Sequence, residues 1–185
     1  MPNTPRIVTL GHSNRTVAQL LDLLCAHGIE LVVDVRRVPR SGRNPHFNAD
    51  VLAIDLSRGG IAYRSMPELG GRRSRARNTP HSSLTDPSIA GYADYMDTPA
   101  FADAVAALID AAGSRTTAIL CAEARPEGCH RLLLSDWLVA NRVAVVHAID
   151  GSPPVPHQMT DCARIDAGRV VYDRGQLPLL GEPEP

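Results

Sequence analysis

Residues 6–35 read RIVTLGHSNRTVAQLLDLLCAHGIELVVDV, and this stretch decides the fold class. Arg6–Leu10 is short and apolar, with β-branched Ile7, Val8 and Thr9, which suits a strand. Gly11-His12-Ser13-Asn14 follows as a turn. Thr16 with Gln19 three positions on is a capping box. Val17, Leu20, Leu21 and Leu24 then recur at helical spacing until Gly28 stops the helix. Cys25, set among the leucines, is predicted to be core. Ile29–Val35 is almost continuously apolar, as expected of a strand buried on both faces. Strand, helix and strand in so short a span make a βαβ unit, whose two strands run parallel.

Outward from this unit the alternation continues. Asn48 is placed to cap a second helix ending at Gly59-Gly60, and Ile61-Ala62-Tyr63 is a third strand. Residues 66–87 are irregular and Arg-rich, and a loop this long in a compact domain is usually functional or disordered. Ile89, Tyr92 and Met96 mark a short helix. Thr98 and Pro99 open a longer one with Phe101, Val105, Leu108 and Ala112 on one face. Thr116–Cys121 is a strand, Cys129–Ala140 a helix with Leu133 and Trp137 inward, and Val143–Ile149 a last buried strand. The expected architecture is one Rossmann-like α/β domain over residues 1–150, a mainly parallel sheet with helices on both faces. Residues 151–185 follow as a C-terminal extension. It comprises a Pro-rich linker (Gly151–Pro156), a hairpin around Asp166-Ala167-Gly168, and a frayed end at 181–185. The sequence shows no internal repeat and no coiled coil.

Composition narrows the chemistry. All 19 basic residues are arginine. Without lysine there is no Schiff-base or pyridoxal-phosphate lysine and no Walker-A loop. No apolar run reaches the roughly 18 residues of a membrane span. Four irregularly spaced cysteines do not form a disulfide framework, so the expectation is a cytoplasmic protein with reduced thiols and no membrane partner. Aromatic residues are 4% of the chain, too few for a broad base-stacking platform. Charge is uneven: residues 36–77 hold ten arginines against three acids, a net of +7, and the rest nets −8. That asymmetry predicts an electropositive face for an anionic ligand, a nucleotide or nucleic acid.

In an open parallel sheet, ligands bind beyond the carboxyl ends of the strands. The polar residues His12, Ser13, Asn14, Asp34, Arg36, Arg37, Cys121 and Glu123 all sit at predicted strand ends. Asp34, in an apolar strand, needs a partner such as Arg36 or Ser13. Arg36, Arg37, Arg40 and Arg43 are candidate phosphate forks, with one of them expected in an internal ion pair. Arg72 and Arg73 extend the basic loop. Between Cys121 and Arg131 the chain reads CAEARPEGCHR. Placed at a helix N-terminus, Cys129 beside His130 and Arg131 would be favoured as thiolate. The candidate catalytic residues are therefore Cys121, Glu123, Cys129 and His130, with Glu123 or His130 as acid/base. The candidate substrate-binding residues are His12, Ser13, Asn14, Arg36, Arg37, Arg40, Arg43, Arg72, Arg73 and Arg131. Cys121, Cys129 and His130, with His12 as a fourth, would suit zinc. Adjacent residues on a helix, however, diverge by about 100° and there is no CxxC pair, so no metal or other cofactor is assigned.

Six ordered segments carry a resemblance: Thr9–Arg15, Val33–Ser41, Asn44–Asn48, Leu69–Arg73, Tyr92–Met96, and Cys121–Glu123 to Cys129–Arg131. Together they resemble the bacterial domain of unknown function 488 family. The resemblance implies an α/β fold and these motif residues as the site, and it brings no reaction with it. Val32–Arg36 and Ile119–Cys121 also resemble the Asp-x-Arg and cysteine strands of rhodanese-like sulfurtransferases and cysteine phosphatases. Here, though, the loop after Cys121 carries Glu123, Pro126 and Glu127 in place of an anion cradle. Three functions follow as expectations. The first is an enzyme acting on a phosphate-bearing substrate. The alternatives are a sulfurtransferase or cysteine phosphatase, and a non-catalytic nucleic-acid-binding module.

Overall fold

The apolar segments assemble into one six-stranded sheet in a computed structural model that describes residues 6–150 and 153–174. The strands are β1 (Arg6–Gly11), β2 (Leu31–Asp34), β3 (Ala62–Ser65), β4 (Thr117–Cys121), β5 (Ala144–His147) and β6 (Val155–Pro156). Their spatial order is β3-β2-β4-β1-β5-β6, parallel except for the antiparallel edge strand β6. The mainly parallel α/β sheet read from the sequence is thus the fold. β1 and β2 are parallel as expected but not adjacent, because β4 inserts between them. The Pro-rich stretch read as a linker is in part strand: Val155 and Pro156 pair with β5, and Pro156 takes an edge position, where a missing N–H is tolerated.

Helices α1 (Val17–Ala26) and α2 (Ala49–Arg58) cover one face of the sheet, and α3 (Pro87–Met96), α4 (Pro99–Gly113) and α5 (Arg131–Ala140) the other. The Thr16–Gln19 capping box of α1 forms as read. Cys25 is exposed, not core, because α1 buries Leu20, Leu23 and Leu24, and the residue after Leu24 is turned about 100° away. Asn48 precedes α2 without capping it, since its side chain accepts from the Ser41 N–H instead (2.8 Å). Most consequentially, α5 starts at Arg131, two residues later than expected.

The C-terminal hairpin forms as β7 (Ala163–Asp166) and β8 (Arg169–Tyr172). It is integral to the packing: Ala163, Val170 and Tyr172 join the core on the α4–α5 side. The end at 181–185 lies outside the described residues. Among the described residues no helix is long and apolar enough to cross a membrane.

Candidate functional site

Because β4 lies between β1 and β2, three strand ends meet on one rim. Gly11 pairs with Cys121, and the pairing runs past the strands: His12 N–H donates to Cys121 O and Ser13 N–H to Ala122 O, both at 2.9 Å. On the other side Val35 N–H donates to Leu120 O at 3.0 Å. His12 and Arg36 consequently touch, Arg36 Nη1 lying 3.2 Å from His12 Nε2.

Asp34 is fully buried in β2, where an unpaired carboxylate would be costly. It accepts from Arg36 N (3.0 Å), Arg36 Nε (2.9 Å) and Tyr63 OH (2.8 Å), and forms an ion pair with Arg36. Arg36 also donates to Phe47 O (2.8 Å). Arg36 is therefore the internal ion pair expected of one of the four arginines, and its guanidinium braces the rim. His12 donates from Nδ1 to Ser13 O (3.0 Å) and accepts from Arg36 at Nε2. Burial, with Arg36 adding to it, lowers its pKa to about 4, so the ring is neutral at neutral pH.

The segment from Cys121 to Arg131 forms a tight cluster. Cys129 and His130 precede α5 rather than belonging to it, so helical geometry does not force their side chains apart. Cys129 Sγ lies 3.6 Å from His130 Nδ1, and His130 Nε2 donates to Val35 O at 3.2 Å. Arg131 is 1% exposed. Its Nε donates to Cys129 Sγ (3.4 Å) and its Nη2 to the carbonyls of Glu123 and Arg125. The two sulfurs and His130 Nδ1 lie within 4.8 Å of one another, all three residues buried. The Cys121 and Cys129 sulfurs face each other within this cluster. The neighbouring Cys121 sulfur foremost, and the Arg131 guanidinium, push the Cys129 thiol below its ordinary value against burial, while Cys129 and burial push Cys121 up.

Above this cluster opens a cavity of about 860 Å³. His12, Ser13, Asn14, Arg36, Arg37, Arg40, Arg43, Arg72, Cys121, Glu123, Cys129 and His130 all line it. Arg37, Arg40, Arg43 and Arg72 are exposed, and among the described residues none has a carboxylate at ion-pair distance. Glu123 is the one carboxylate in the described lining. Two lining residues hold left-handed backbone without being glycine, Ser13 (φ 49°) and Arg72 (φ 57°). Ser13 is held by its N–H bond to Ala122, and Arg72 by the bond from Arg37 Nη1 to its carbonyl (2.8 Å). Such conformations cost energy and persist only where the surroundings enforce them.

Two expected substrate-binding residues do not line the cavity. Arg131 is sealed beneath it. Arg73 stacks on the Tyr95 ring at 3.7 Å and donates to Gly70 O and Glu68 O, which pins the basic loop to α3. Conversely, Val38, Ser41, Asn44, Gly71, Ser88 and Ile89 line the cavity without having been singled out. Ser41, Asn44 and Gly71 stood in the motif segments, but only their arginine neighbours carried an evident chemical signal.

The family profile described as domain of unknown function DUF488 matches residues 16–138. The chain belongs to this family. No curated protein and no solved structure matches it. The DUF488 match takes in the arginine rim, Glu123 and the Cys121–Cys129–His130 cluster, while His12, Ser13 and Asn14 lie just ahead of it.

Proposed function

We propose that this DUF488 protein is an enzyme acting on a phosphate-bearing substrate, a nucleotide or the end of a nucleic-acid strand. One observation carries the reading: a single cavity places four guanidiniums, without carboxylate partners among the described residues, above a buried cluster of two cysteines and a histidine. Guanidinium forks match phosphate oxygens in geometry and charge. The volume falls in the usual range for small-molecule sites. No Phe, Tyr or Trp is in the described lining, which supports recognition by phosphate rather than by stacked bases. Both ring nitrogens of His130 are engaged, so the acid/base role falls to the exposed carboxylate of Glu123. A phosphatase or sulfurtransferase centred on Cys121 is less well supported, because Arg131 donates to Cys129 rather than to Cys121 and the loop after Cys121 brings the Glu123 carboxylate into the cavity.

The test is turnover of nucleoside phosphates and short single-stranded oligonucleotides by wild type and variants. Arg40→Ala/Arg43→Ala should raise KM about tenfold or more, the scale of one lost charged hydrogen bond, with kcat largely kept. Glu123→Gln should lower kcat. If no phosphate-bearing compound is turned over, or if the arginine variant is indistinguishable from wild type, the reading falls.

A further inference from the structure

We propose that Cys121, Cys129 and His130 hold a thiophilic divalent metal ion, zinc, with its fourth coordination position open to the cavity. This deepens the reading above and rests on it for the ion's chemical role, though not for the binding itself. Four features carry it. First, tetrahedral zinc at about 2.0–2.3 Å from each ligand sets its sulfur and nitrogen donors about 3.5–3.8 Å apart. Cys129 Sγ and His130 Nδ1 are 3.6 Å apart, and the three donors all lie within 4.8 Å of one another. Second, His130 is held as metal-binding histidines are: its distal N–H is tied to a backbone carbonyl, Val35 O, which leaves Nδ1 with its lone pair toward the sulfurs. Third, Arg131 Nε donates to Cys129 Sγ, an outer contact that offsets thiolate charge. Fourth, a Cβ on Gly71 would lie 2.7 Å from His130 Nδ1. A side chain there would crowd the donor nitrogen, and glycine keeps that approach clear.

Two cysteines, one histidine and an open position form the donor set of a catalytic zinc site rather than a closed structural one. All three donor residues border the cavity, so the open position would face the ligand that the arginines hold. The bound ion would supply Lewis acidity there, and Glu123 stands on the same wall to move a proton.

The experiment strips the reduced full-length protein with a chelator and titrates it with Zn2+, then with Co2+ as a spectroscopic probe. One equivalent of zinc by native mass spectrometry is expected, together with the thiolate-to-Co2+ charge-transfer and tetrahedral visible bands. Cys121→Ser, Cys129→Ser and His130→Ala should each weaken zinc binding at least tenfold, whereas Cys25→Ser/Cys162→Ser should not. In wild type, zinc should protect Cys121 and Cys129 from iodoacetamide while Cys25 stays reactive. This readout needs no variant to fold. Failure of wild type to retain one equivalent, or unchanged labelling of Cys129 with and without zinc, overturns the proposal. Arg40→Ala/Arg43→Ala separates the two readings, since it should leave zinc stoichiometry at one while weakening phosphate ligands. Phosphate binding that the arginine variant leaves unchanged, with zinc retained, would overturn the substrate reading alone.

Discussion

Arg72 and Arg73 are neighbours in sequence with opposite tasks. Arg72 presents an exposed guanidinium to the cavity from a left-handed backbone, and Arg73 is spent on Tyr95 and two carbonyls. Arg72→Ala should weaken phosphate-bearing ligands severalfold and leave thermal stability nearly unchanged. Arg73→Ala should lower the unfolding free energy by about 1–2 kcal/mol, the scale of a lost cation–π contact and its hydrogen bonds, with ligand affinity less affected. Calorimetry and urea denaturation of the two single variants check this, and equal effects on both readouts would refute the division. The sequence showed both residues as basic loop positions and no more. Which one turns outward depends on Tyr95, more than twenty positions away. Arg36 was more legible, because a buried Asp two residues before it in a strand requires a partner.

At the scale of elements, the site depends on how closely the end of β1 approaches the loop after β4. A Cβ on Gly11 would lie 1.6 Å from Glu123 O, a backbone atom that cannot swing aside. Gly11→Ala should therefore cost more than about 3 kcal/mol and disturb the Glu123 wall, seen as a lower urea midpoint. A midpoint within error of wild type would mean that the two segments are not in contact. Strand and helix identities were readable because each carried its own period, and α1 and α4 their caps as well, as Thr16–Gln19 and Thr98–Pro99 show. The start of α5 was not. Gly128, Cys129, His130 and Arg131 give no N-cap signal, and the turn closed by Cys129 N–H on Pro126 O delays the helix. That two-residue shift removes the sequence argument that Cys129 and His130 must diverge, and it brings the sulfur–imidazole cluster together.

Across the whole molecule a hydrogen-bonded chain ties the sheet to the C-terminal hairpin. Thr9 Oγ1 donates to His147 Nδ1 (2.6 Å), His147 Nε2 to His157 Nδ1 (2.9 Å), and His157 Nε2 to Asp136 Oδ1 (2.8 Å), with Tyr172 OH also on Asp136 (3.0 Å). Its members run from residue 9 to residue 172, so no local pattern could reveal it. This chain holds His147 neutral: burial, reinforced by His157 and Arg131, lowers its pKa to about 4, as burial also does for His12. The unfolded chain protonates both near 6.5, whereas the fold resists until about 4. Between those values the unfolded state binds more protons, so acidification favours unfolding. The contribution of these two groups to stability is complete above about pH 6.5 and declines as the pH falls toward 4. A buffer series should show Tm dropping across that window, and a flat Tm would contradict the neutral buried pair.

In the proposed function the arginine rim and the Cys/His floor make one anion site at the strand C-termini. Its most direct test is the anomalous difference map of a crystal soaked in tungstate, a heavy phosphate analogue. A peak is expected inside the cavity, within hydrogen-bonding distance of at least two of Arg37, Arg40, Arg43 and Arg72 and above Cys129. Tungstate found only at arginines outside the cavity, such as Arg58 or Arg115, or an empty cavity at full soak concentration, would contradict it.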